Sequence, residues 1–168
     1  MRSLIVMMLA AVAFLLAADD PGGWSKAKWG MTEAQLSAAF GADFHEVPDL
    51  HGATDYLGRF RFSLWVDLTV GKIPCRATPH FDKDGHLDSV SITPNKFEDE
   101  TVVLSLNLRD LLVQKYGPPS KSTEDMDQWT FPTTLITLQH IKILPSENFQ
   151  LDDLSLTYEK IAPASNPL

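Results

Sequence analysis

The stretch F-R-F-S-L-W-V-D-L-T-V-G-K-I-P-C-R-A-T-P, residues 60–79, decides the fold class. Phe60, Phe62, Leu64, Val66, Leu68 and Val70 alternate without a miss, and Arg59, Arg61, Ser63, Trp65, Asp67 and Thr69 fill the other side. A period of two is a strand with one buried face. Gly71-Lys72 offers a two-residue hairpin turn, which places Val70 opposite Ile73, Leu68 opposite Cys75 and Val66 opposite Ala77. The apolar faces of both strands then coincide, and a one-residue slip would turn all of them to solvent. Pro79 would face the first strand without an N–H, so regular pairing should fail near it, by a bulge or by ending.

Outward from this hairpin, Asp82-Lys83-Asp84-Gly85 makes the next turn, and Val90 and Ile92 return to the core side. Leu87 is out of phase with them, which a bulge around Asp88 and Ser89 would reconcile. A helix follows from Asn95 to Gly117. Asn95 can cap it with Glu98 three residues on, and Leu104, Leu108, Leu111, Leu112 and Tyr116 form one apolar stripe. Gly117 with Pro118 and Pro119 ends it. Beyond lie three strand signals, Gln128–Phe131, Thr134–Leu144 and Asp153–Glu159.

Before the hairpin, Thr32 and Gln35 form a capping box for a short helix carrying Leu36 and Phe40, with Gly41 as its stop. Ala42–Thr54 reads as irregular. The expectation is an α+β fold, an antiparallel sheet of about six strands packed on one long and one short helix. The order suggests two copies of one helix-plus-sheet unit, although no residue-level repeat supports duplication.

Met1-Arg2-Ser3 precedes the apolar run Leu4–Ala18 and then Asp19-Asp20-Pro21, the pattern of a secretory signal peptide. Residues 1–18 are read as that signal, with a retained anchor as the alternative, and 19–168 as one domain. The run is shorter than a membrane span of about twenty residues requires. The expected location is therefore periplasmic or secreted, with no membrane-embedded segment after cleavage. The formal charge is -8, from 14 Lys and Arg against 22 Asp and Glu, and loss of Arg2 makes it more negative. That disfavours nucleic acid and anionic membranes as partners. Cys75 is the only cysteine, so an internal disulfide is not available.

Trp29-Gly30-Met31-Thr32 opening a helix, F-D-x-D-G-x-L over Phe81–Leu87, and Lys115-Tyr116-Gly117-Pro118-Pro119 ahead of the lone Trp129 strand resemble features of small exported bacterial proteins of uncharacterised function. The arrangement is also similar to the helix-then-sheet modules of the outer-membrane assembly lipoprotein and beta-lactamase inhibitor protein folds. The resemblance implies action by protein contact. The chain lacks their lipid-anchored cysteine and paired disulfide cysteines, so no functional residue carries over.

Candidate chemistry is sparse. His80, Asp82, Asp84, His86 and Asp88 crowd one segment, but a calcium loop would need a further oxygen ligand and a terminal Glu, and turn selection explains Asp82–Gly85 unaided. No metal or other cofactor is expected. Cys75 and His80 point to opposite faces of one strand, and Cys75 belongs to the core, so they do not form a nucleophile and base. The outer face of the hairpin is more informative. Asp67 lies opposite Arg76, Trp65 opposite Thr78 and Ser63 opposite His80, with Arg59 and Arg61 continuing that side. Trp and Arg are the side chains best able to anchor an interface. The candidate binding residues are therefore Trp65, Arg59, Arg61, Arg76 and His80, against the competing reading of an ordinary solvated sheet face. Trp24 and Trp29 are the alternative surface, unless they lie over the core as a clamp. The expected function is an exported binding module for a protein or small envelope ligand, without catalysis; the alternative is a metal-assisted hydrolase using His80–His86.

Overall fold

The structure, a computed structural model, describes residues 18–46, 64–70, 73–95, 101–146 and 149–162, without the side chains of 101–104 and 141–153. A small hairpin of β1 (Gly23–Trp24) and β2 (Ala27–Lys28) leads into α1 (Glu33–Phe40), a 3₁₀ turn (Gly41–Asp43) and β3 (Phe44–Glu46). There follow β4 (Leu64–Val70), β5 (Ile73–Phe81), β6 (Leu87–Pro94) and α2 (Thr101–Tyr116). The chain closes with β7 (Lys121–Ser122), β8 (Met126–Thr130), β9 (Thr134–Ser146) and β10 (Phe149–Lys160). Apart from the β1–β2 pair, the strands form one sheet in the order β3-β4-β5-β6-β10-β9-β8-β7, antiparallel at every step.

The fold is thus α+β, with eight strands in the main sheet where about six were expected. The additions are its two edges, β3 and β7, of three and two residues. Strands so short carry no readable alternation, and β3 falls inside the stretch expected to be irregular. The order follows the chain from β3 to β6, then from β7 to β10, so each helix precedes one contiguous four-stranded half.

The hairpin register is the expected one, from Val70↔Ile73 through Leu68↔Cys75 to Val66↔Ala77. Pairing with β4 stops there, before Pro79, which pairs with Val90 on the β6 side. The bulge falls at Asp88: His80 pairs with Ser89 and Phe81 with Leu87, leaving Asp88 as the extra residue. Leu87, Val90 and Ile92 can then all be buried.

Both helices lie against the sheet through narrow stripes. In α1 the capping box forms, with Thr32 N–H donating to Gln35 Oε1 at 2.8 Å, and Leu36 and Phe40 are buried. In α2, Leu108 and Leu112 are buried, whereas Leu111 is 49% exposed, contrary to the stripe expected for it. The buried line follows a four-residue ridge, and Leu111 stands about 100° round the helix from Leu112. Gly117, at φ +81°, donates its N–H to Val113 O at 2.8 Å and closes the helix. Its own carbonyl accepts from Trp129 Nε1 at 2.8 Å, which ties the helix end to β8. The expected cap of Asn95 with Glu98 involves residues outside the described ones, as do the Gly71-Lys72 turn and the signal segment to residue 17; the Leu104 side chain is also outside them.

Trp24 and Trp29 form the expected clamp over the core. Trp24 stacks on Phe40, with centroids 5.9 Å apart and planes 17° apart, and Trp29 Nε1 donates to Thr134 Oγ1 at 2.9 Å. Gly30 N–H donates to Leu87 O and Leu87 N–H to Met31 O, so the segment is sewn to the start of β6. Asp20 sews it to the start of β9, accepting from Thr133 N–H at 2.6 Å and from the hydroxyls of Thr133 and Thr134 at 2.8 Å each.

Cys75 is 1% exposed, and burial pushes its thiol pKa up, so a thiol reagent should label the native protein slowly and the denatured protein quickly. Cys75→Ser should cost about 1 to 3 kcal/mol in a denaturant melt, and rapid native labelling would contradict the burial. At Asp20, burial alone would raise the carboxyl pKa, but hydrogen bonds from Gly22, Thr134 and Thr133 outweigh it and hold the pKa below its ordinary value. A depressed folded-state pKa gives stability that is complete above the unfolded value and is lost as pH falls through the folded one. Asp20→Asn should therefore cost about 1 to 3 kcal/mol at neutral pH and less in acid, read from urea melts across that range. An equal cost at both pH values would contradict it.

Candidate functional site

Alternation along β4 turns Leu64 and Val66 into the core and leaves Trp65 and Asp67 on the opposite face. Pairing places His45 of β3 directly across from Trp65, and Arg76 of β5 across from Asp67. The four side chains meet. The His45 ring stacks on the indole of Trp65 at 5.4 Å and 25°, and the Arg76 guanidinium carbon lies 4.4 Å from the Trp65 ring centroid. His45 Nε2 is 3.4 Å from Asp67 Oδ2, and Arg76 Nε is 4.0 Å from Asp67 Oδ1. Singly these contacts are weak, about 0.5 to 1 kcal/mol for an exposed cation over a ring and about 0 to 1 for an exposed ion pair. Together they restrain each ring and charge by two neighbours on adjacent strands. His45, Asp67 and Arg76 stay about half exposed, whereas Trp65 is half-buried and its Nε1 is a buried donor with no hydrogen-bond partner among the described residues.

Of the candidate binding residues, then, Trp65 and Arg76 are brought together, and Arg59 and Arg61 lie outside the described residues. His80 departs from expectation. It shares the strand parity of Arg76 but is only 4% exposed, and its Nε2 is 2.9 Å from Ser91 Oγ on β6. A ring so covered is part of the packing and not of an open surface. His45, which joins the cluster from β3, was not among the candidate residues, because a three-residue strand shows no readable alternation.

The segment from His80 to Asp88 is organised by its turn. Asp82 Oδ1 accepts from the amides of Asp84 and His86 at 2.9 Å each, while Asp82 N–H donates to His86 O. The His86 amide, with that of Asp84, outweighs the effect of burial and holds the Asp82 carboxyl below its ordinary pKa. This is the expected turn between the strands, closed by hydrogen bonds of Asp82 itself. Among the described residues, no three His, Cys, Asp or Glu side chains stand together as ligands for a metal ion.

A second constellation was missed by the sequence reading. Asp127 shares the parity of Trp129 on β8, so it faces α2 and is 8% exposed. Arg109 of α2 donates Nε–H to its Oδ2 at 2.8 Å. Asp127 Oδ1 is buried and has no hydrogen-bond partner among the described residues. Beside the pair is a cleft of about 230 Å³, bounded by α2, the β7–β8 turn and β9. The sequence signal is faint: an Asp where the Trp129 alternation calls for an apolar residue.

Removing the guanidinium would leave a buried carboxylate unserved. Because the Arg109 side chain is 45% exposed, its loss should cost less than a fully buried pair, about 1 to 3 kcal/mol for Arg109→Ala. The double change Arg109→Leu with Asp127→Leu should recover most of this in a denaturant melt. A double variant no more stable than Arg109→Ala would contradict the account.

No family model, no curated protein and no solved structure matches the chain, so its function has to be read from the chemistry of these side chains.

Proposed function

We propose that the protein is an exported, soluble binding module that recognises a protein or a small envelope ligand through the outer face of β3, β4 and β5. The observation that carries this reading is the quartet of His45, Trp65, Asp67 and Arg76, held in mutual contact on three paired strands with its charged groups turned toward solvent. A cluster already ordered in the free protein loses little side-chain freedom when a partner arrives. The Trp65 ring is engaged by His45 from β3 and by Arg76 from β5, so a partner would meet the rest of the ring and the remaining donors of Arg76. Those donors suit a carboxylate, which accepts paired bonds from a guanidinium. The signal-like segment at residues 1–18 supports export, and no helix among the described residues is long and apolar enough to cross a membrane. The resemblance to modules that act by contact points the same way.

The metal-assisted hydrolase reading has less to stand on, because the Asp82 carboxylate is engaged by turn amides and a His80 ring nitrogen by Ser91. A hydrolase would have to break these bonds to assemble a site.

Capture from an envelope extract with the immobilised mature chain, followed by titration of the recovered partner, tests the reading. Trp65→Ala and Arg76→Ala should each weaken binding by about 1 kcal/mol or more while circular dichroism stays that of the native protein. A partner bound with unaltered affinity by both variants would remove this face from consideration.

A further inference from the structure

The cleft between α2 and the β7–β9 end of the sheet has chemistry the outer face does not use. Only half of the Asp127 carboxylate is served: Oδ2 accepts from Arg109, and Oδ1 is buried without a donor among the described residues. Buried carboxylate oxygens are costly to leave in that state, so this atom calls for an N–H or O–H group. The surrounding charge narrows the choice. Among the described residues, the carboxylates of Glu124, Asp125 and Asp127 line the cleft with the guanidinium of Arg109 and the imidazole of His140, a balance that favours a positive ligand. Size narrows it again, since about 230 Å³ is below the range of roughly 300 to 1,000 Å³ typical of sites for larger molecules. Leu106, 58% exposed, adds an apolar wall.

We propose that this cleft binds a primary ammonium on a short apolar stem, the group carried both by a lysine side chain and by a small alkylamine. The ammonium donates to Asp127 Oδ1, and the stem lies along Leu106. A divalent cation fits less well, because the described residues offer no set of three His, Cys, Asp or Glu ligands. Binding there requires the Arg109 side chain, 45% exposed, to swing aside and uncover Oδ1. The site stands on the opposite half of the sheet from the His45–Trp65–Asp67–Arg76 cluster, and either could exist without the other.

The test is a titration of the mature protein with n-butylammonium, with n-butanol, and with a capped glycine peptide containing one central lysine, followed by NMR of the backbone amides of Asp127, Gln128 and Arg109. Both amines should give saturable shifts at these amides, and the alcohol none. Tighter binding of the peptide identifies a partner's lysine as the source of the ammonium; equal or tighter binding of n-butylammonium identifies a small amine. Asp127→Asn should weaken either by about tenfold or more, the loss expected for a charge-assisted bond. Should that variant fail to fold, as its own spectrum would reveal, the exposed pair Glu124→Gln with Asp125→Asn takes its place and should weaken binding several-fold. Absence of saturable shifts with both amines, shifts equally produced by the alcohol, or affinity unchanged in the variant that folds would each overturn the proposal.

Discussion

The antiparallel pairing of β6 with β10 is the constraint on which the rest of the molecule depends. It runs from Leu156↔Ile92 to Glu159↔Ser89 and joins the two four-stranded halves into one sheet. Without it each half would present a long inner edge of unpaired N–H and C=O groups, a liability that folded proteins avoid. The seam also brings Val90, Ile92, Leu156 and Tyr158 side by side as part of one buried cluster, which Leu36 and Phe40 of α1 and Leu108 and Leu112 of α2 share. The N-terminal segment reinforces it from above, because Gly30 and Met31 hold the first residue of β6 while Asp20 and Trp29 hold the first residues of β9 and the turn before it.

This construction has a consequence for function. The outer-face cluster depends on β3, β4 and β5, and the ammonium cleft on α2, β8 and β9, so the candidate sites are built on different halves of a shared frame. Sites mounted on paired strands and a seated helix keep their geometry better than sites on loops. The protein's acidic charge makes the guanidiniums stand out. Arg76 lies over Trp65 on the outer face, and Arg109 is drawn inward to a buried carboxylate.

Local periodicity made the centre of the fold legible. The β4–β5 register could be read because every apolar residue had to share a face, and the phase error at Leu87 announced the bulge at Asp88. Turn chemistry at Gly117 and in the Thr32 capping box marked the helix ends for the same reason: the conformational demand is met by residues within a few positions. What stayed hidden depends on distant contacts. The seam itself pairs residues far apart in the chain, β3 and β7 are too short to show alternation, and Leu111 has the right spacing but lies off the ridge that touches the sheet. Of the candidate site, Trp65, Asp67 and Arg76 could be placed together from the hairpin alone. His45 could not, because its strand is three residues long. The burial of His80 and the pairing of Arg109 with Asp127 were equally out of reach, since strand parity tells which way a side chain points and not what covers it.

Native-state hydrogen exchange along the seam tests the central claim, that β6 and β10 weld two halves into one cooperative unit. Backbone amides that bond across the seam, at Val90, Ile92, Leu156 and Tyr158 or at their neighbours in the ladder, should be among the slowest to exchange and should open with the free energy of global unfolding. Exchange from the strands of one half at a distinctly lower opening free energy, with the other half still protected, would contradict the account and make the halves separate units.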